Sequence, residues 1–243
     1  MALRGQTALV VGGGTGIGRS IAISLAKSGC RVAIAGRRMA KLQEVAAGFA
    51  LEPRLITHEC NAADRASVKR LFEWANRELG QIDILVNSAG TNIKNRSIAE
   101  MRPEQWDEIM DINVTAAYNC IHEVLPQMRQ RRAGLIINIS SVAGKRAAKM
   151  AGVAYCASKF ALTALSTAVG LEEAQHNIRI STIYPGEVDT PILEQRPSAV
   201  TDEHRARMLQ PDDVAAAVMM ICQLPPRAHI PELVIKPIGQ DYA

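Results

Sequence analysis

Seven short apolar runs punctuate the chain: TALVV (7–11), RVAIA (31–35), RLITH (54–58), IDILV (82–86), GLIINI (134–139), IRISTI (178–183) and ELVIK (232–236). Between them, apolar positions recur every three or four residues, near 17–28, 39–49, 65–79, 104–129, 154–176 and 211–223. The first pattern reads as strands and the second as amphipathic helices. The strands are nearly continuous in their apolar residues rather than alternating, as expected when helices cover both faces of a parallel sheet. Strict strand–helix alternation predicts an α/β fold, a doubly wound open sheet with right-handed crossovers.

No Pro/Ser-rich linker, repeat or low-complexity tract divides the pattern, so residues 1–243 read as a single domain. The stretch 187–210 (EVDTPILEQRPSAVTDEHRARMLQ) is the longest without clear strand character. It follows the sixth strand on the carboxyl edge of the sheet, where such folds bind ligands.

Composition changes this picture little. Apolar residues make up 48% and charged residues 21%, an ordinary balance for a globular chain. No uninterrupted apolar run approaches the roughly 18 residues of a membrane span, and the N-terminal apolar core is too short for a signal peptide. A cytoplasmic protein that binds no membrane is the expectation. The five cysteines (Cys30, Cys60, Cys120, Cys156, Cys222) are odd in number with no CxxC, which favours reduced thiols. No histidine pair or Cys/His spacing suits a metal, so none is expected. The net charge of +4 is mild, and RQRR (129–132) reads as the solvated end of a helix. No nucleic-acid partner is expected.

The candidate chemistry begins where the first strand runs into GGGTGIG (12–18) and then into a helix. Glycines there let the backbone turn tightly and approach a pyrophosphate seated on the free N–H groups of a helix N-terminus. What fits the segment is GxxxGxG, on Gly12, Gly16 and Gly18. Five further segments follow in order: LVNSAG (85–90), INV around Asn113, NISSVAG (138–144), YCASK (155–159) and YPGEVDT (184–190). Together these six segments, spanning nearly the whole chain, resemble the short-chain dehydrogenase/reductase family.

The resemblance implies a Rossmann-type seven-stranded domain that binds a nicotinamide cofactor. It implies a catalytic set of Asn113, Ser141, Tyr155 and Lys159, with Ser140 the second candidate for the serine. Gly12, Gly14, Thr15, Gly16, Ile17 and Gly18 would cradle the pyrophosphate. Asn61 and Ala62 would border the adenine, and Asn87, Ala89 and Gly90 the adenosine ribose. Pro185, Gly186, Val188 and Thr190 would close over the nicotinamide, while Tyr155 and Lys159 would also touch the cofactor. Three departures stand out: Val11 where the family often has Thr, Ser88 where it has a second Asn, and Asn61 where it often has Asp. Ser141 also lies fourteen residues before Tyr155, one more than expected, so AGKRAAKMAGVA should bulge.

The second strand ends AGRR, with Gly36 at the corner that discriminates the two nicotinamide cofactors, followed by Arg37 and Arg38. Residues 1–43 hold no Asp or Glu but seven basic residues (Arg4, Arg19, Lys27, Arg31, Arg37, Arg38, Lys41). A 2′-phosphate finds no acid there to repel it, so NADP(H) is favoured over NAD(H), with Arg37 as principal contact.

In AYCASKFAL (154–162), Tyr155 and Lys159 lie about 40° apart on one helix face. A free Tyr titrates near ~10, and the Lys159 cation should draw it down. Ser141 would hydrogen-bond the substrate oxygen and Tyr155 would exchange its proton. The resemblance thus implies an oxidoreductase interconverting a secondary alcohol and a ketone or aldehyde. On the opposite face Ala157, Ala161, Ala164 and Ala168 permit close approach of another helix, as core packing or as a subunit interface. The family implies a homo-oligomer, a dimer or tetramer.

Substrate is less legible. Lys94, Arg96, Lys145, Arg146 and Lys149 cluster around the expected pocket; solvated loop charge is the simpler reading, an acidic substrate the sharper one. LPPRAHIPELVIKP resembles the branch of NADP-dependent 3-hydroxy acid dehydrogenases and carbonyl reductases. A 3-oxoacyl-carrier-protein reductase and a non-catalytic dinucleotide-binding regulator are the alternatives. A nucleotide-sugar epimerase is disfavoured, because the length leaves no separate sugar-binding domain.

Overall fold

The computed structural model describes residues 3–241. Seven parallel strands form one sheet in the order β3-β2-β1-β4-β5-β6-β7. They are β1 (Thr7–Val11), β2 (Arg31–Gly36), β3 (Ile56–Glu59), β4 (Ile84–Asn87), β5 (Gly134–Ile139), β6 (Ile178–Pro185) and β7 (Glu232–Ile235). The helices are α1 (Gly16–Lys27), α2 (Met39–Ala47), α3 (Arg65–Leu79), α4 (Pro103–Met110), α5 (Ala116–Arg131), α6 (Val153–Glu173), the short α7 (Asp202–Arg205) and α8 (Pro211–Cys222).

The continuous apolar strands have the expected cause. Side chains alternate across a strand, so Ala8 and Val10 join one core with Ile21, Leu25, Val214 and Val218, from α1 and α8. Leu9 and Val11 join the other with Val68, Leu71, Cys120 and Val124, from α3 and α5. Every residue of β1 is buried.

Several segments differ from the sequence expectation: β4 starts two residues later than IDILV suggests, and β6 runs two residues beyond IRISTI. At the sheet edges, β3 starts two residues later than RLITH suggests, and β7 stops one residue short of Lys236; neither strand holds a fully buried residue. The helix expected over 104–129 is one helical run, but Asp111–Thr115 forms a widened π turn between α4 and α5. Asn113 lies at its centre, buried. Residues 187–210 contain a 3-10 turn at Pro191–Gln195 and α7, and a parallel bridge from Val188 to Leu209 pins their base.

The longest helix changes two expectations. Val153–His176 is long and apolar enough, by length and composition, to cross a membrane, although no unbroken apolar run had suggested it. It packs along β6 and buries Ser158, Lys159, Ser166 and Glu173. The alanine stripe Ala157, Ala161, Ala164 and Ala168 is not core packing: none of the four is buried, and Ala164 and Ala168 are exposed. Phe160 and Leu171 are exposed as well.

Candidate active site

The crevice where strand order reverses, between β1 and β4, is the ligand position of open α/β sheets. A cavity of about 850 Å³ opens there. Of the catalytic and cofactor-binding residues singled out from the sequence, Gly18, Asn87 and Asn113 do not line it and the others do; of the five loop cations, Arg96 and Arg146 line it, whereas Lys94, Lys145 and Lys149 do not.

At the β1 end the chain turns at Gly12, with φ +87°. A Cβ on Gly12 would lie 2.6 Å from the Ala89 nitrogen, so only glycine permits this approach of loop to loop. Gly18 lies behind the loop, and a Cβ there would collide with the Gly12 carbonyl. Its part is close packing of α1 under the turn, not contact with a ligand. The first turn of α1 holds no acidic residue, and Thr15 makes no side-chain capping bond. Its N–H groups are left to an anion. This glycine cradle fits a dinucleotide pyrophosphate.

Arg37 and Arg38 follow β2, both exposed and both on the cavity wall. Arg38 donates to the Thr15 hydroxyl at 3.4 Å. Among the described residues, Glu187 and Glu194 are the only carboxylates lining the cavity, and both come from the segment after β6. Asn61 lines it too, but its side-chain oxygen already accepts the Ala63 N–H at 3.3 Å.

Three buried asparagines act behind the wall. Asn87 and Asn138 are register partners on β4 and β5. The Asn87 amide donates to Asn138 at 2.8 Å, and Asn138 donates to Ser166 of α6 at 2.8 Å. This chain ties two central strands to the helix that carries Tyr155. Asn113 accepts the Thr91 N–H at 2.8 Å and donates to the Thr91 carbonyl at 3.1 Å and to Ser158 at 2.9 Å. It thereby joins the π turn, the loop after β4 and α6.

The serine ambiguity has a geometric answer. Both serines line the cavity, but Ser140 is buried and its hydroxyl donates to the Lys159 carbonyl at 3.3 Å. Ser141, whose hydroxyl accepts the Ala143 N–H at 3.1 Å, is the one whose side chain acts on the Tyr155 phenol. Between Ser141 and α6 the chain makes a 3-10 turn at Val142–Gly144, then a turn ending at Gly152, φ +87°.

Burial pushes the Tyr155 phenol above its ordinary range, while the Ser141 hydrogen bond and then the Arg96 charge draw it down. Lys159, expected to be the principal cation acting on it, is 5.6 Å from the ring centroid. Its ammonium donates to the Ile139 carbonyl at 3.0 Å, and burial lowers it to about 8. The Ser141–Tyr155 pair beside Lys159 can hold a substrate oxygen and pass it a proton. No group of three or more potential metal ligands occurs among the described residues.

Sequence reasoning left two wall residues without a role. Gln240 comes from the far C-terminal segment and accepts the Glu187 N–H at 2.8 Å. No local pattern marks it. Arg96 was read only as one loop cation among several.

Comparison with known proteins agrees with this geometry. A family model described as short chain dehydrogenase matches residues 6–201. An uncharacterized oxidoreductase of Staphylococcus saprophyticus is 34% identical, covering 97% of this chain and 99% of that protein. A metagenomic short-chain oxidoreductase in complex with NADP is 30% identical, with TM-score 0.84 over 98% of this chain and 99% of that one. Serine dehydrogenase complexed with NADP+ is 29% identical, with TM-score 0.88 over 98% and 97%. The 3-ketoacyl-(acyl-carrier-protein) reductase of Brucella melitensis, complexed with NADH, is 27% identical, with TM-score 0.87 over 97% and 98%.

Proposed function

Because the chain belongs to the short-chain dehydrogenase/reductase family, we propose that it is an NADP(H)-dependent oxidoreductase interconverting a ketone or aldehyde and a secondary alcohol. The observation that carries this reading is the grouping of Ser141, Tyr155 and Lys159 on the wall of the switch-point cavity. A bound nicotinamide would supply or accept the hydride.

The chain's own residues do the rest. Ser141 holds the carbonyl oxygen, and Tyr155 donates the proton that oxygen needs as it becomes an alkoxide. Lys159 holds the nicotinamide ribose, and its ammonium, made a readier proton donor by burial, feeds the proton path. Asn113 fixes the loop after β4 against α6. Gly12, Gly14, Gly16 and the first turn of α1 hold the pyrophosphate, with Thr15 and Ile17. Asn61 and Ala62 border the adenine; Ala89 and Gly90 border its ribose. Pro185, Gly186, Val188 and Thr190 close over the nicotinamide.

Arg37 supports NADP(H). Among the described residues it has no side-chain partner of its own, no acid lines that end of the cavity, and two of the similar structures hold NADP. An enzyme of the 3-oxoacyl-carrier-protein reductase type is the second reading, favoured by the Brucella neighbour. A non-catalytic regulator has no use for the Ser141–Tyr155–Lys159 arrangement. The exposed alanine stripe of α6 supports a homodimer or homotetramer, and five buried free cysteines suit a reducing, cytoplasmic setting.

A panel of ketones, aldehydes, 3-oxo acids and acyl-carrier thioesters, run with NADPH and with NADH, tests the reading. Oxidation of NADPH by a simple carbonyl supports it. Turnover confined to acyl-carrier substrates selects the second reading, and no turnover with any of them, despite nucleotide binding, selects the regulator.

A further inference from the structure

One cation in the cavity wall is committed in a way that loop solvation does not explain. Arg96, half-buried after β4, uses its whole guanidinium fork on carbonyls: Nε donates to Ile93 at 2.6 Å, one terminal nitrogen to Met150 at 2.7 Å, and the other to Gln195 at 2.7 Å. Met150 lies in the turn before α6, and Gln195 ends the 3-10 turn of the 187–210 segment. One side chain thus joins three segments that border the substrate end. A second tie runs in parallel, from the Asn92 amide to the Ala151 carbonyl at 3.0 Å.

Arg96 also meets the start of α6 directly. Its own carbonyl accepts the Val153 N–H at 3.3 Å, in the first turn of the helix that carries Tyr155. Its side chain packs on Gly152, where a Cβ would lie 2.5 Å from the Arg96 Cβ. Among the described residues no carboxylate pairs with Arg96; its charged neighbour is Arg196, whose own partner is Glu187 at 2.6 Å.

We propose that Arg96 is a positioning residue for Tyr155: it seats the first turn of α6, clasps the Pro191–Gln195 turn at the cavity, and places a positive charge on the wall it shares with the phenol. The proposal rests on Tyr155 as the proton donor. The groups that act on the phenol are Ser141 from beyond β5, Arg96 from beyond β4, and Cys156 and Lys159 on α6 itself. Burial opposes ionisation, and Arg96 acts the other way. A nearby cation favours the ionised form of an acid, so removing it must move the titration to higher pH.

The test separates clasp from charge. Arg96→Lys keeps the charge but not the fork, whereas Arg96→Gln keeps hydrogen-bond donors but not the charge. Tyr155 is titrated by ultraviolet difference absorbance, subtracting the matching Tyr155→Phe protein, in a chain with only four tyrosines. This readout needs neither substrate nor nucleotide, so it stands even if no carbonyl substrate is turned over. The phenol should titrate at higher pH in Arg96→Gln and near its wild-type position in Arg96→Lys. In turnover, the high-pH limb of kcat/KM for alcohol oxidation should follow the same order, while KM rises on the order of 10-fold in both variants through the lost clasp. Should Arg96→Gln fail to fold, Arg96→Met keeps the aliphatic packing on Gly152 and takes its place. An unchanged Tyr155 titration in the neutral variant overturns the proposal, and so does a wild-type KM in both variants.

Discussion

Ser141 and Tyr155, fourteen residues apart in sequence, meet on the wall of one cavity, while the neighbouring Ser140 turns its hydroxyl inward to the Lys159 carbonyl. Two adjacent serines thus divide the work between site and core. Ser141→Ala should lower kcat by roughly 10²–10³-fold, the cost of one lost donor to a developing oxyanion, with little change in melting temperature. Ser140→Ala should show the reverse, a loss of about 1 kcal/mol in stability from one buried hydrogen bond and a nearly intact kcat. Steady-state kinetics and denaturant melts on both variants check the division.

Tyr155→Phe should abolish turnover while NADPH still binds. Nucleotide fluorescence titration together with the carbonyl assay reads both properties. Turnover like that of the wild type would remove Tyr155 from the proton path.

Lys159 carries a pH signature in stability. Its folded value, about 8, lies below its ordinary 10.5 because burial disfavours the charged form. Below about pH 8 both folded and unfolded chains are charged, and the folded state bears the full cost. Between those values the unfolded chain binds more protons, so stability rises with pH across that window. Lys159→Met abolishes the rise. The stability gap between variant and wild type should change by about 2 kcal/mol between about pH 7.5 and about pH 10, read from urea melts without nucleotide.

Arg37→Glu should reverse cofactor preference. At a partly exposed site a charge reversal against a 2′-phosphate should raise KM for NADPH by at least about 10-fold and leave NADH little changed. Parallel assays with the two nucleotides decide it; equal losses with both would return Arg37 to loop solvation.

How much of this was legible in the sequence follows the burial of each element. Central strands such as β1 and β5 are buried along their length, so their apolar runs mark them closely. The edge strands β3 and β7 bury less, and their ends shift by a residue or two. The glycines of the first loop and the Tyr155–Lys159 spacing were readable because local geometry dictates them. The roles of Gly18, Arg96 and Gln240 depend on groups brought from elsewhere in the chain: Gly12 and Ser88 for the first, Met150 and Gln195 for the second, Glu187 for the third. The direction of the Tyr155 shift was misjudged because burial, which a sequence does not display, outweighs a cation aimed elsewhere.

The π turn at Asp111–Thr115 lets one uninterrupted helical rod serve two neighbours. Before it, α4 leans on α6; beyond it, α5 lies against α3 and the sheet. Asn113 sits at the handover, with both ends of its amide engaged. A loop at this point would make the same change of neighbour but leave that amide free to swivel. Because the rod never breaks, the loop after β4 inherits its stiffness through a single side chain.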